Sequence, residues 1–126
     1  MKHLVIYTRD KITGATLCHL LKRRNLNPEY YTKYEVILNK IRFNYDNIII
    51  LDISSIFTMS YIAKDIEEIL KFTDKMPVIM LSPYSSNEKK IKKIQQSGYY
   101  ILEKPINVDK LAELVKKINQ NNNINR

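Results

Sequence analysis

Apolar residues along this chain fall either in short continuous runs or in longer segments with helical spacing. A short run that is apolar at every position is typical of a buried strand, and apolar residues three and four apart are typical of an amphipathic helix. The pattern predicts strands at 3–8, 28–33, 47–52, 77–81 and 99–103. It predicts helices at 11–25, 34–43, 59–72, 87–96 and 108–118. We therefore expect five strand–helix units in alternation.

The runs "NIIILD" at 47–52 and "PVIML" at 77–81 are apolar on both faces. Strands of this kind belong in a parallel sheet with helices on both sides, because each face of the strand must be buried. Successive parallel strands are joined by right-handed crossovers. We therefore predict an α/β fold with a doubly wound parallel sheet, with the 28–33 strand near an edge and a polar, asparagine-rich segment from residue 119 onward.

The composition is that of one globular domain. The chain has 126 residues, of which 44% are hydrophobic and 27% are charged, and this length suits a single core. Its longest apolar runs are far too short to span a membrane, and its first ten residues do not form a signal peptide. The single cysteine, Cys18, excludes an internal disulfide. We expect a cytoplasmic protein without a membrane partner.

The charge and the glycine content limit the classes of ligand. The chain has only two glycines, Gly14 and Gly98, so neither a GxGxxG dinucleotide loop nor a P-loop can be formed. The net charge of +8 would suit nucleic acid. No nucleic-acid recognition motif accompanies that charge, so we interpret the lysines as solvated helix surface and do not expect direct nucleic-acid binding by this domain.

Polar side chains follow several predicted strands at the point where each strand ends. They are Tyr7 and Thr8, Asp52, Ser82 and Lys104, after the first, third, fourth and fifth strands respectively. In an open parallel sheet, ligand chemistry gathers at the carboxyl ends of the strands. A carboxylate, a hydroxyl and an ammonium group at this edge would make a small reactive site. Alternatively, Asp52 and Lys104 would form only a salt bridge between two strands, and the residues alone favour neither interpretation.

Three segments, "IIILDIS", "PVIMLSPYS" and "ILEKPI", resemble the signature blocks of the response-regulator receiver domain, the CheY-like fold. They contain Asp52, Ser82 and Lys104, and the spacing between these residues matches the family without a gap. The Lys-Pro pair after a final strand is the most specific element. The resemblance extends from about residue 2 to about residue 119.

The resemblance implies a fold and a function class. It implies a CheY-like, flavodoxin-like sheet of five strands in the order 2-1-3-4-5 with five helices, a receiver domain at 1–119 and a polar tail or linker at 120–126. It also implies phosphorelay signal transduction in a bacterial two-component system, with the domain acting as a response-regulator switch and not as an enzyme.

The resemblance also assigns roles to individual residues. Asp52 occupies the position of the aspartate that accepts a phosphoryl group from a histidine kinase. Ser82 occupies the position of the hydroxyl that hydrogen-bonds the phosphoryl oxygen, and Lys104 that of the lysine whose ammonium pairs with it. The Lys104–Pro105 bond matches the usual cis peptide of the family, which proline permits.

The metal site of the family is degenerate in this sequence. The resemblance implies Mg²⁺ held by two acidic residues directly after the first strand, but "LVIYTRD" places Tyr7 and Thr8 there, followed by Arg9. Asp10 is the only acid nearby, and its position suits a helix N-cap instead. Because Mg²⁺ requires hard, anionic oxygen ligands, we expect no metal and no other cofactor, and very slow phosphorylation of Asp52.

The aromatic switch residue of the family lies three residues before the lysine. That position is Ile101 here, and Tyr100 is adjacent to it. A shift of the last strand by one residue would turn Tyr100 toward the switch groove instead of Ile101. The sequence leaves both assignments open.

The face formed by residues 87–118 is the partner surface that the resemblance implies. Its helix is strongly basic, with Lys89, Lys90, Lys92 and Lys93, and a positive face would favour an acidic protein partner. A second copy of the chain could also dock there. An output domain could follow residue 119.

We interpret the chain as an atypical receiver that works without phosphorylation, with Lys104 and also Arg9 expected to pair directly with Asp52. It would act as a protein-interaction or dimerisation switch. The alternative is a working receiver that uses Mg²⁺, with Asp52 phosphorylated by a histidine kinase. Such a domain could be the N-terminal part of a DNA-binding response regulator.

Overall fold

The computed structural model describes residues 3–42, 46–53, 64–83 and 89–124. Strands and helices alternate along the chain. The strands are β1 (His3–Tyr7), β2 (Pro28–Tyr31), β3 (Asn47–Asp52), β4 (Val78–Ser82) and β5 (Tyr100–Glu103). The helices are α1 (Lys11–Lys22), α2 (Tyr34–Ile41), α3 (Lys64–Leu70), α4 (Lys89–Gln96) and α5 (Val108–Ile124).

The five strands form one parallel sheet in the order β2-β1-β3-β4-β5. This order confirms the predicted doubly wound fold and places β2 at an edge. The direction in which successive strands are added to the sheet reverses between β1 and β3. In such folds, ligands bind outside the carboxyl ends of the strands at this point. The end of β1 and the end of β3 are therefore neighbours.

Two apolar layers cover the two faces of the sheet. One layer packs alternate strand residues such as Val5 and Leu51 against α2 and α3. The other packs residues such as Ile6 and Ile50 against α1 and α5. Successive strand residues point to opposite faces, so β3 needs an apolar residue at every interior position. This explains why "NIIIL" predicts its strand so directly.

The helices differ most from the sequence prediction at their ends. The α5 helix continues to Ile124, whereas the sequence predicted an end near residue 118 and a polar tail or linker beyond it. Asn119 is buried in this continuation. The predicted starts of the third helix at 59–63 and of the fourth at 87–88 lie outside the described residues. The assignment of 120–126 as a tail or linker to another domain stays a prediction.

In the part of the chain that the structure describes, no helix is both long enough and apolar enough to cross a membrane.

Gly14 of α1 lies directly under the ring of Tyr30 in the edge strand. A Cβ atom at Gly14 would come within 2.3 Å of Tyr30 Cδ2. We expect Gly14→Ala to lower the free energy of unfolding by about 1 kcal/mol, because overpacking of about 1–3 kcal/mol outweighs the gain of about 1 kcal/mol from helix propensity. Urea denaturation measures this change.

The control for this prediction is the same substitution without the ring. In a Tyr30→Ala background, Gly14→Ala should instead stabilise the protein by up to about 1 kcal/mol, since only the helix-propensity gain remains. An equal loss in both backgrounds would contradict the steric explanation.

Candidate functional site

Asp52, at the end of β3, is held by one hydroxyl and one ammonium group. Thr8 Oγ1 donates a hydrogen bond of 2.7 Å to Asp52 Oδ2. Lys104 Nζ lies 2.5 Å from Asp52 Oδ1, as an ion pair without the alignment of a hydrogen bond. Lys104 Nζ also donates to the carbonyl oxygen of Ile53 at 2.9 Å. Both carboxylate oxygens of Asp52 are therefore engaged.

The sheet geometry explains why these three side chains meet. Thr8 directly follows β1, and Lys104 directly follows β5. Thr8 continues the alternation of Leu4 and Ile6, whose side chains face α1 and α5. Asp52 continues the alternation of Ile50 toward the same face. The three polar groups therefore extend an otherwise apolar layer at the carboxyl edge of the sheet.

Burial makes this pairing energetically important. The Asp52 side chain is 14% exposed and the Lys104 side chain 32% exposed, while Thr8 is fully buried. An ionised carboxylate in such a place is costly unless it is paired. The Thr8 hydroxyl also accepts a hydrogen bond from the backbone N–H of Asp10 at 3.1 Å. Thr8 therefore links Asp52 to the β1–α1 connection.

The donor set at this edge does not fit Mg²⁺. The last residue of β1, Tyr7, carries a phenol, and the next residue, Thr8, carries a hydroxyl. Neither side chain is a carboxylate. The carboxylate that lies beside Thr8, Asp52, is already paired on both oxygens. Across the described residues, no three His, Cys, Asp or Glu side chains lie close enough to hold a metal ion. Hard, anionic ligands of the kind that Mg²⁺ requires are thus lacking here.

The remaining predicted residues lie close by in the fold. Ser82 is buried at the end of β4, and its carbonyl accepts a hydrogen bond of 2.7 Å from the backbone N–H of Lys104. The Lys104–Pro105 peptide bond is cis. Asp10 caps α1, as the sequence predicted, by accepting from the backbone N–H of Ile12.

The register of β5 separates the two candidates for the switch position. Ile101 pairs with Met80 and packs against the layer formed with α2 and α3. Tyr100 points away from that layer and is 39% exposed. By position, Ile101 and not Tyr100 therefore occupies the groove side of β5. Its role as a switch stays a prediction.

A second polar cluster joins the end of β1 to α3. Arg9 donates to the carboxylate of Asp65 through Nε at 2.8 Å and through Nη2 at 2.7 Å. Tyr7 donates its phenol hydrogen to Asp65 Oδ2 at 2.5 Å, and the backbone N–H of Ile66 donates to Oδ1 at 2.9 Å. Asp65 is only 6% exposed, so this carboxylate is buried with four hydrogen bonds.

This cluster corrects one prediction from the sequence. Arg9 was expected to pair with Asp52, but it pairs with Asp65. The reason is alternation: Tyr7 and Arg9 point to one side of the extended chain, and Thr8 between them points to the other. Sequence reasoning missed Asp65 altogether. Its position next to core residue Ile66 and four residues before core residue Ile69 gave a weak signal of burial on a helix face.

Opposing effects set the pKa of Asp65. Burial alone raises the pKa of its carboxyl, but the hydrogen bonds from Arg9, Tyr7 and the Ile66 backbone hold the pKa below its usual value. Burial, together with the bond to Asp65, raises the pKa of Tyr7 well above its usual value. Tyr7 therefore remains a protonated donor at neutral pH, and Asp65 an ionised acceptor.

The lowered pKa of Asp65 predicts acid sensitivity. The folded protein keeps this carboxylate ionised at a pH where the unfolded chain, with a pKa near 3.8, takes up a proton. The stabilisation is thus complete above the unfolded pKa, and is lost as pH falls through the lower folded pKa. Urea denaturation between neutral pH and about pH 3 should show this loss, and Asp65→Asn should reduce it.

The matched control is Asp74→Asn, which removes one exposed carboxylate elsewhere. It should leave the acid dependence of stability nearly unchanged. Equal effects of the two substitutions would mean that the acid sensitivity reflects net charge and not the Asp65 cluster.

The site adjoins an open cleft of about 370 Å³ between α1 and the β5–α5 connection. Asp52 and Lys104 lie at its polar end, and the rest of the lining is mainly apolar, including Leu17, Leu20 and Pro105. Small molecules can thus approach the pair, but the Asp52 carboxylate is not a free nucleophile there.

No protein-family model matches the sequence, and no curated protein sequence is similar to it. Solved structures are similar in fold, and they define the class: the fold is that of CheY-like response-regulator receiver domains. This confirms the fold that the three sequence blocks implied.

Three receiver structures illustrate the similarity. A CheY-like receiver domain protein from Methanospirillum hungatei JF-1 has a TM-score of 0.74 and 19% identity, covering 100% of this chain and 99% of its own. The receiver domain of the Francisella response regulator 1452 has a TM-score of 0.74 and 22% identity, covering 97% and 99%. The beryllofluoride-activated NtrC4 receiver domain dimer has a TM-score of 0.68 and 19% identity, covering 93% and 95%.

Proposed function

We propose that this chain is a receiver module of a two-component signalling system that works without phosphorylation and acts by binding a protein partner or a second copy of itself. One observation carries the proposal: both oxygens of Asp52 are engaged, one by Thr8 and the other by Lys104. The receiver fold supports the signalling class, and the pairing supports the atypical mode.

Phosphoryl transfer depends mainly on positioning and on neutralising the charge of the transferred group. In this chain the cation that would neutralise a phosphoryl group on Asp52, Lys104, already neutralises Asp52 itself. A neutral hydroxyl, Thr8, stands where the family has a metal-binding carboxylate. The attacking oxygen of Asp52 would have to leave its contact with Thr8 or with Lys104 before it could bond to a phosphodonor.

The same pairing gives the domain a single resting state. Lys104 links β5 to β3, and Thr8 links β1 to β3. A phosphoryl group on Asp52 would disturb these two links. While they are present, they keep the ends of β1, β3 and β5 in one arrangement. In this proposal the module presents one binding surface whose shape does not depend on phosphorylation. We assign it no enzymatic activity.

The partner surface that we propose is formed by α4, β5 and α5. Lys89, Lys92 and Lys110 are exposed on these helices, and Tyr100 is exposed on the strand between them. Exposed lysines on the two helices, together with an exposed aromatic side chain on the strand, favour an acidic protein partner. A histidine kinase, or an output domain joined on the C-terminal side of α5, would be partners of the kind that the receiver fold suggests.

The test is the intact mass of the protein after incubation with acetyl phosphate, with and without Mg²⁺. We expect no addition of a phosphoryl group in either case. Asp52→Asn serves as the control for site, and a receiver with an intact acidic pair serves as the positive control for the donor. A Mg²⁺-dependent gain of one phosphoryl group that is lost in Asp52→Asn would establish the alternative, a working phosphoacceptor.

A further inference from the structure

A second cleft, of about 460 Å³, lies at the same edge of the sheet but on the opposite side of β1 from Asp52. We call it the Arg9 cleft. Tyr7 and Asp65 form its inner wall with Arg9, and the rest of its described lining consists of Thr32, Lys33, Tyr34, Glu35 and Lys64. These residues come from the end of β1 and the β1–α1 connection, from the β2–α2 connection and the start of α2, and from the start of α3. The volume is in the range of small-molecule sites.

Arg9 is fixed in place on the inner wall of this cleft. Its Nε and Nη2 atoms donate to the buried Asp65 carboxylate, while its side chain remains 55% exposed. These two bonds use Nε and Nη2 of Arg9, and no hydrogen bond from its Nη1 is found among the described residues. A guanidinium fixed by one carboxylate loses little further freedom on binding a second anion, and it still has donors to offer.

Two lysines add positive charge from separate elements. Lys33 and Lys64 are both exposed and both line the cleft with Arg9. Among the described residues of the lining, Arg9 offsets the charge of Asp65, and Glu35 offsets one of the two lysines. Three cations from three segments thus stand against two carboxylates, which leaves the cleft a net charge of +1.

Neutral donors complete the lining. Thr32 and Tyr34 supply hydroxyl groups. The α2 helix begins at Tyr34, and its N-cap residue, Lys33, makes no side-chain capping hydrogen bond. The positive end of the helix dipole thus adds to the charge of the side chains. Arginine, lysine and hydroxyl donors around one cleft are the groups that bind phosphate.

We propose that the Arg9 cleft binds a phosphate dianion, either free or carried on a small molecule such as a nucleotide. The Asp52 carboxylate and the Lys104 ammonium do not line this cleft. Binding there does not depend on phosphorylation chemistry, so the proposal stands or falls independently of the function proposed above.

The experiment titrates inorganic phosphate, a nucleoside monophosphate and the corresponding nucleoside into the full chain at constant ionic strength, with amide chemical shifts as readout. We expect saturable shifts centred on 32–35 and on Lys64 with the two phosphate-bearing ligands and none with the nucleoside. A lower dissociation constant for the nucleotide than for inorganic phosphate would identify a phosphate-bearing small molecule as the ligand. Equal dissociation constants would identify free phosphate.

Single substitutions test the assignment without disturbing the fold. Lys33→Ala and Lys64→Ala should each weaken phosphate binding by about fivefold, since an exposed ion pair is worth up to about 1 kcal/mol. Lys116→Ala, which removes an exposed lysine from α5, should leave the affinity unchanged. Absence of saturable binding, shifts centred on Lys104, or equal weakening by all three substitutions would overturn the proposal.

Discussion

Replacing Lys104 with methionine is expected to lower the free energy of unfolding by about 3 kcal/mol, because it leaves the Asp52 carboxylate without its cation. Asp52 is mostly buried, and Thr8 alone would then hold it. Methionine retains most of the apolar stem of the lysine, so the decrease in the free energy of unfolding measures the lost ion pair and not lost packing. This expected loss is at the lower end of the range of about 3–5 kcal/mol for breaking a buried ion pair, because the Lys104 side chain is one-third exposed. Urea denaturation at neutral pH measures it.

A double-mutant cycle isolates the pair. Asp52→Asn removes the charge that Lys104 neutralises, so Lys104→Met should cost much less in the Asp52→Asn background, with a coupling energy of about 2 kcal/mol. Lys116→Met is the matched control for the loss of an exposed lysine and should cost under about 0.5 kcal/mol. Additive effects of the two site substitutions would mean that the contact contributes nothing to stability, and would remove the main support for a locked receiver.

Thr8→Asp is expected to convert this edge into a Mg²⁺ site. Thr8 Oγ1 lies 2.7 Å from Asp52 Oδ2, so the substitution would place two carboxylates side by side. Without metal, their repulsion should destabilise the protein, since like charges in a buried site disfavour ionisation of both. With Mg²⁺ at about ten times its dissociation constant, binding should return about 1.4 kcal/mol of stability. The wild-type protein should show no such gain.

Thermal unfolding with and without Mg²⁺ checks this prediction. A gain of about 1.4 kcal/mol corresponds to a rise in melting temperature of several degrees for a domain of this size. Thr8→Asn introduces a side chain of the same shape as aspartate but without a charge. It therefore shows how much of the change comes from side-chain volume and not from metal binding. A Mg²⁺-dependent rise in the wild-type protein would show that the present donor set is sufficient, and would favour the alternative of a working phosphoacceptor.

Strand patterns were the most informative part of the sequence. The β3 strand was predicted with the bounds that the structure gives, 47–52, because a central parallel strand must be apolar on both faces and few other elements look like that. The edge position of 28–33 and the N-cap at Asp10 are also confirmed. Helix ends were less well predicted, as the continuation of α5 to Ile124 demonstrates. The asparagine-rich sequence of this continuation has a low helix propensity, so it can form a helix but does not predict one.

The partners of the charged residues were harder to predict. Arg9 had two carboxylates within plausible reach, Asp52 and Asp65, and the choice depended on which side of the chain it faced and on where α3 packed. The Tyr7–Arg9–Asp65 cluster joins residues about 56 positions apart. No local pattern encodes such a contact. Likewise, the choice between Ile101 and Tyr100 for the groove side of β5 required the register with β4.

The sequence by itself determined the fold class, the position of Asp52, Ser82 and Lys104 at one edge, and the presence of uncharged residues, Tyr7 and Thr8, at the end of β1. These follow from strand periodicity and from residue identity at fixed spacing, which are local properties. Only the tertiary structure decided that Thr8 and Lys104 hold Asp52, that Arg9 turns instead to Asp65, and that three cations meet in the Arg9 cleft. Those facts depend on distances between side chains far apart in sequence, which are fixed only when the sheet and helices pack together.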